Sequence, residues 1–137
     1  MAENQIRIKI TDQHQLTEQF RTFIYSGDLK ILFFLMVLMC LDVITGLFKA
    51  IKNDNLWSRK SMYGIARKML IFCIIILANI IDQILNLQGG LLIITIIYYI
   101  ANECLSIIEN CAEMGVGVPH QIVDRLKVMK DDNDKKE

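Results

Sequence analysis

Three sets of polar residues sit among neighbours that are almost all apolar, and each set keeps the spacing of one helix face. Asp42, Thr45, Gly46 and Lys49 fall at i, i+3, i+4 and i+7. Asn79, Asp82, Gln83 and Asn86 repeat that spacing. Thr95, Tyr99, Asn102, Ser106, Glu109 and Glu113 advance by alternate steps of four and three, with Glu103 beside them. Residues three and four apart share a helix face, so each segment reads as a greasy rod with one polar stripe. A charge at bilayer depth costs on the order of 3 kcal/mol on insertion scales, so the stripes must be used. Three uses are open: hydrogen bonding across helices as packing contacts, lining water, or relaying protons. One subunit of three helices has no room for a channel, so lining water requires self-association. The expectation is therefore of helix faces used in assembly, some of them wetted once assembled. For Asp42 an ion pair with Lys49, Lys52 or Arg67 near the same boundary would lessen the cost of burial. A proton relay is the weaker candidate, because no His or buried Lys stands beside Asp42 in this reading.

Other chemistry finds little footing. There is no Ser-His-Asp set, no phosphate loop, no G-x-G-x-x-G and no metal-ligand spacing. Glu103 and Glu109 are six apart, on different faces of a helix, so a paired acid/base site is not indicated. Cys40, Cys73, Cys104 and Cys111 all lie in apolar segments with no C-x-x-C, and His14 and His120 are isolated. Buried packing explains such thiols better than a zinc or redox centre. No enzyme activity and no cofactor are expected.

The elements that carry the stripes follow from charge spacing. Between Lys68 and Glu103 run 34 residues with Asp82 as the single charge. As one helix they would span about 51 Å, against a hydrocarbon core of roughly 30 Å. The run must fold back, and Asn86-Leu87-Gln88-Gly89-Gly90 supplies the break. Spans are expected at about 29–48, 69–86 and 91–111, the first with Asp42 as its only charge between Lys30 and Lys49. The 137 residues, 53% apolar with a mean hydropathy of +0.37, then divide into three parts. Residues 1–28 are a polar or amphipathic N-terminal segment, 29–112 the transmembrane domain, and 113–137 a C-terminal helix with a charged tail. The fold class is all-α, an integral membrane protein with about three transmembrane helices.

At the N-terminus, Ile6-Arg7-Ile8-Lys9-Ile10 alternates like a short strand or a disordered run. Thr11 or Asp12 is then placed to cap a helix with Leu16, Phe20, Phe23 and Ile24 on one face, suited to a membrane surface or continuing into the first span. Ser26-Gly27-Asp28 marks the joint. These residues lack the basic start and apolar run of a cleaved signal. Gly115-Val116-Gly117-Val118-Pro119 stops the third span, and a short amphipathic helix over 119–130 leads to a disordered tail from Asp131 to Glu137.

Net charge is zero, but its distribution is uneven. The 49–68 loop carries Lys49, Lys52, Arg59, Lys60, Arg67 and Lys68 against Asp54 alone, and Arg125, Lys127 and Lys130 follow the third span. The positive-inside rule puts that loop and the C-terminus in the cytoplasm, with the N-terminus and hairpin turn outside. The basic loop, with Trp57 and Tyr63 interleaved, suits anionic lipid headgroups rather than nucleic acid.

Several local patterns together resemble the phage lysis and toxin-secretion holin family. They are Leu41-Asp42-Val43-Ile44-Thr45-Gly46 with Lys49-Ala50-Ile51-Lys52, then Ser58, Ser61 and Gly64 with Arg67-Lys68. Asp82 follows, then Asn102-Glu103-x-x-Ser106-Ile107-x-Glu109-Asn110 and the Gly115–Pro119 stop, covering roughly residues 40–126. The polar extension 1–28 has no counterpart in that pattern. The resemblance implies a homo-oligomer of the bacterial cytoplasmic membrane that opens lesions, releasing an endolysin or a large toxin that lacks a secretion signal. The alternative is a small ion-conducting or transporter subunit.

Overall fold

A computed structural model describes residues 1–54 and 59–134, with side chains described for 1–54 and 63–128. Those residues form five helices in order: α1 (Ala2–Ile24), α2 (Leu29–Lys52), α3 (Arg59–Leu85), α4 (Gly90–Glu113) and α5 (His120–Asp134). No strand occurs among the described residues. Among the described residues three helices are long and apolar enough to cross a membrane: α2, the Tyr63–Leu85 part of α3, and α4. At 24 residues, α2 and α4 are each about 36 Å long. The fold is that of an all-α membrane protein.

Phe33, Phe34, Leu47, Phe48, Leu70 and Leu77 are all exposed, which in water would be untenable and in lipid is the ordinary outer coat. The interior is built from heptad-like seams. On α2 it is Leu35, Met39 and then the half-buried Asp42, on α3 Ile71, Ile75, Ala78 and Asn79, and on α4 Leu92, Ile96 and Glu103. Steps of three and four keep such residues on one side of each helix. Tyr25, Leu35, Met39, Ile71, Ile75, Leu92 and Ile96 form one apolar cluster. In a bilayer this cluster gains close packing rather than release from water, so the polar contacts above and below it weigh more in holding the helices together.

α4 is the central element: it packs along α2, to which it runs parallel, and along antiparallel α3, whereas α2 and α3 touch little. The hairpin between α3 and α4 turns where the sequence places it. Asn86 and Gln88 take positive φ, and Gly89, at φ 85°, precedes the first residue of α4. α4 ends in paired bonds of the Schellman type, Val116 N–H to Cys111 O at 3.0 Å and Gly115 N–H to Ala112 O at 2.9 Å, with Gly115 at φ 88°. A non-glycine residue would be strained at that position.

Several boundaries differ from expectation. Residues 6–10 are helical, and α1 runs unbroken from Ala2 to Ile24. A strand needs a ladder partner and the described residues offer none, while Gln, Arg and Lys favour helix over an isolated extended segment. Thr11 is no cap; its hydroxyl donates to Arg7 O at 2.9 Å inside the helix. Of the two courses left open for α1, the helix takes the one that stops before the first span, with the break at the expected Ser26-Gly27-Asp28. The joint lies at residues 25–28, where the Asp28 carboxylate caps α2 by accepting from Lys30 N–H at 2.8 Å. The expected 49–68 loop is largely helix. α2 continues through Lys52 and α3 begins at Arg59, which puts Arg67 and Lys68 on α3. α5 reaches Asp134, so the start of the tail is helical rather than disordered. Trp57, Ser58, residues 135–137 and the side chains of Arg59, Lys60, Ser61 and Lys130 lie outside the described residues.

Candidate functional site

The polar residues gather at two levels of the bundle, with the apolar cluster between them. At the hairpin level, α3 supplies three side chains that complete the ends of other helices. Asp82, 4% exposed, accepts from Gly89 N–H at 2.7 Å and from Leu92 N–H at 3.0 Å. It thereby caps α4 from the neighbouring helix, where the positive end of the helix dipole favours a carboxylate. Asn79 is fully buried and acts on both sides of the α1–α2 joint. Its amide donates to Phe23 O at 2.8 Å, and its carbonyl accepts from Ser26 N–H at 3.1 Å and the Ser26 hydroxyl at 2.7 Å. Gln83 Nε2 donates to Thr22 O at 3.1 Å. The last turn of α1 is thus satisfied by α3. Tyr25 closes the joint, its hydroxyl donating to Asp28 O at 2.8 Å. Burial first, and then the Asp28 charge, raise its pKa above the ordinary phenol value, so it remains a donor.

At the opposite level the groups bind one another. Lys68 on α3 extends between α2 and α4, its ammonium 2.8 Å from Asp42 Oδ2 and in contact with Glu103 Oε2. The side chains of Lys68, Asp42 and Glu103 are only 14%, 15% and 8% exposed. Asn110 on α4 completes the cluster, donating to Asp42 Oδ1 at 3.0 Å and to the Thr45 hydroxyl at 3.2 Å. Thr45 in turn donates to Asp42 O at 3.1 Å. Nearer the helix ends, Lys49 pairs with Glu113 Oε1 at 2.7 Å, and Lys52 donates to the Glu113 carbonyl at 3.0 Å. That last contact places a cation at the C-terminus of α4, its negative dipole end.

The three expected stripes therefore meet inside one subunit to differing degrees. Asp42, Thr45, Glu103 and Lys68 come together; Asn79, Asp82 and Gln83 join neighbouring backbone instead of one another. Gly46 lies against the same cluster, where an added Cβ would meet Asn110 Nδ2 at 3.7 Å. Ser106 is half-buried beside it, Asn102 is half-buried on α4, and Glu109 and Arg67 are exposed. The ion-pair partner of Asp42 is Lys68, not Lys49, because α3 begins early enough to carry Lys68 into the bundle. The charge pattern alone puts Lys68 in a headgroup-facing loop and leaves Asn110 off the polar stripe. Their signal is the seven-residue step from Glu103 to Asn110, on the face that also holds Ile96. Among the described residues no group of three or more His, Cys, Asp or Glu could hold a metal, and the four cysteines are unpaired.

The profile of the bacteriophage holin family matches residues 19–131. A protein named "Probable holin" from Bacillus phage phi105 is 49% identical over 110 residues, covering 80% of this chain and 82% of that protein. The uncharacterized protein YqxH of Bacillus subtilis is 46% identical over 114 residues, with 83% and 81% covered. An uncharacterized 14.9 kDa protein from the nagH 3′ region of Clostridium perfringens is 38% identical over 95 residues, with 68% and 71% covered. No solved structure matches. With four-fifths of its length matched to the profile and to a phage relative alike, this chain belongs to the bacteriophage holin family.

Proposed function

We propose that the chain acts as a holin of the bacterial cytoplasmic membrane. It accumulates there with the N-terminus and hairpin turn outside and the basic helix ends inside. It then self-associates into lesions through which an endolysin, or a toxin without a secretion signal, leaves the cell. The role needs no catalytic residue. The observation that carries the reading, beside family membership, is the Asp42–Lys68–Glu103 cluster. It holds three ionic groups between membrane helices, where each costs several kcal/mol to keep dry and gains when water reaches it. A packed subunit thus keeps in its interior the polar surface that an opened assembly needs. One net negative charge in that cluster also gives the membrane potential something to act on, at about 2.3 kcal/mol per charge and 100 mV across the full bilayer.

Inducing the gene alone in bacteria tests this. Growth should halt abruptly, and a cytoplasmic enzyme too large for an ion channel should appear in the medium. Collapsing the membrane potential should advance the arrest; timing indifferent to potential would remove the voltage link. Slow or absent arrest without protein release would overturn the holin reading. Ion or solute flux with fixed stoichiometry, dependent on Asp82 or Glu103, would assign the chain to the transporter class. A neighbouring endolysin or toxin gene decides which cargo is released.

A further inference from the structure

We infer that the gap between α2 and α3 at the basic end is a binding site for one anionic phospholipid. Because these two helices touch little, a cleft of about 540 Å³ opens between them, with Ser106 and Asn110 of α4 among its lining. That volume is in the range of sites for small organic ligands.

The lining is divided as a phospholipid is. Lys49, Arg67 and Lys68 line it against the single carboxylate Asp42. Lys49 and Lys68 are already engaged by Glu113, Asp42 and Glu103, whereas Arg67 is exposed and makes no ion pair among the described residues. Its planar fork of donors suits the oxygens of a phosphodiester, and it sits where headgroups meet the helix ends. Tyr63 and Asn53 add polar atoms to the lining. The apolar part is Val43, Leu47 and Ile65, all exposed on the lipid side, where an acyl chain can continue into the bilayer. Gly64 leaves the room: a Cβ there would meet no atom within 4 Å. A lipid phosphate supplies the anion that Arg67 lacks among the described residues, whereas a second copy would have to bring an exposed carboxylate such as Glu109 to the same place. A lipid in this position bridges α2 and α3, which otherwise meet chiefly through Lys68 and α4.

The test uses the purified full-length chain in uncharged detergent, with phosphatidylglycerol or phosphatidylcholine added and retained lipid read by native mass spectrometry. Phosphatidylglycerol should be retained and phosphatidylcholine lost. Arg67→Gln should weaken phosphatidylglycerol binding about fivefold, the effect of one cation beside an anionic headgroup. Gly64→Leu should abolish retention while the circular dichroism of the helices stays unchanged; if that variant does not fold, Arg67→Gln decides alone. Added inorganic phosphate should leave the lipid in place. Equal retention of both lipids, or wild-type retention by Arg67→Gln, would overturn the proposal. Displacement by phosphate would assign the cleft to a soluble anion instead. A wild type that retains no lipid but forms a dimer lost in Gly64→Leu would assign it to a second chain.

Discussion

The two polar levels of this bundle use similar residues for opposite ends. Near the hairpin, Asn79, Asp82 and Gln83 give their side chains to backbone groups that a helix end leaves open. Near the basic end, Asp42, Lys68, Glu103 and Asn110 bind side chain to side chain across three helices. A backbone cap has no substitute within the protein when the helices part, because its partners are fixed in the chain. An ionic cluster has one: water satisfies all of its members at once. The hairpin level is accordingly suited to hold the subunit's connectivity, and the ionic level to be the place where helices separate.

The largest predicted effect breaks the ionic level. Lys68→Met leaves Asp42 and Glu103 facing each other with no cation, and should cost about 3–5 kcal/mol in thermal unfolding of the detergent-solubilised protein. Replacing Asp42, Lys68 and Glu103 together by leucine should instead leave the packed subunit near wild-type stability or above it, while abolishing protein release from cells. A triple variant that still releases protein would show that the ionic cluster plays no part in opening. Next in size, Asp82→Ala orphans the Gly89 and Leu92 N–H groups and should cost about 2 kcal/mol, with faster amide exchange confined to the hairpin and the first turn of α4. Asn79→Ala should cost about 1–2 kcal/mol and act more locally still. Exchange should rise over the last turn of α1 and residues 25–28, and the Lys68 cluster should keep its protection.

How much of this contrast is legible in the sequence depends on how far apart in the chain its partners lie. The hairpin and the α4 stop are written in local chemistry: Gly89 and Gly115 occupy positive-φ positions that few other residues tolerate, so the sequence places both. The polar spacing on α2 and α3 is also legible, since Asp42 and Asn79 each stand alone among apolar neighbours. What each residue binds is not, because Asp42 meets Asn110 and Asn79 meets Phe23 at long separations along the chain. On α4 the polar count misleads. Thr95, Asn102 and Glu109 draw the apparent stripe around the helix, whereas the buried face runs through Leu92, Ile96, Glu103 and Asn110. Lys68 is misread for a related reason. A lysine at the edge of an apolar run looks like a headgroup contact until α3 is known to start at Arg59, well before that run.

The smallest predicted effect marks where the ionic level ends. Lys49 and Glu113 form a 2.7 Å pair with side chains 31% and 53% exposed, so solvent screens what the deeper cluster keeps. Glu113→Gln should cost no more than about 1 kcal/mol, and the difference from wild type should vanish in roughly 1 M salt, where the screening length is near 3 Å. Lys52 would keep its bond to the Glu113 carbonyl in that variant, because the bond is to backbone, and the α4 terminus would stay in place. Lys68→Met, by contrast, should lose stability to a similar extent in low and high salt, since the Asp42 and Glu103 side chains are only 15% and 8% exposed. If the two variants proved equally sensitive to salt, Asp42 and Glu103 would already be in contact with water in the packed subunit. The distinction between a dry ionic level and its wet edge would then be lost, and with it the reason for the helices to part there.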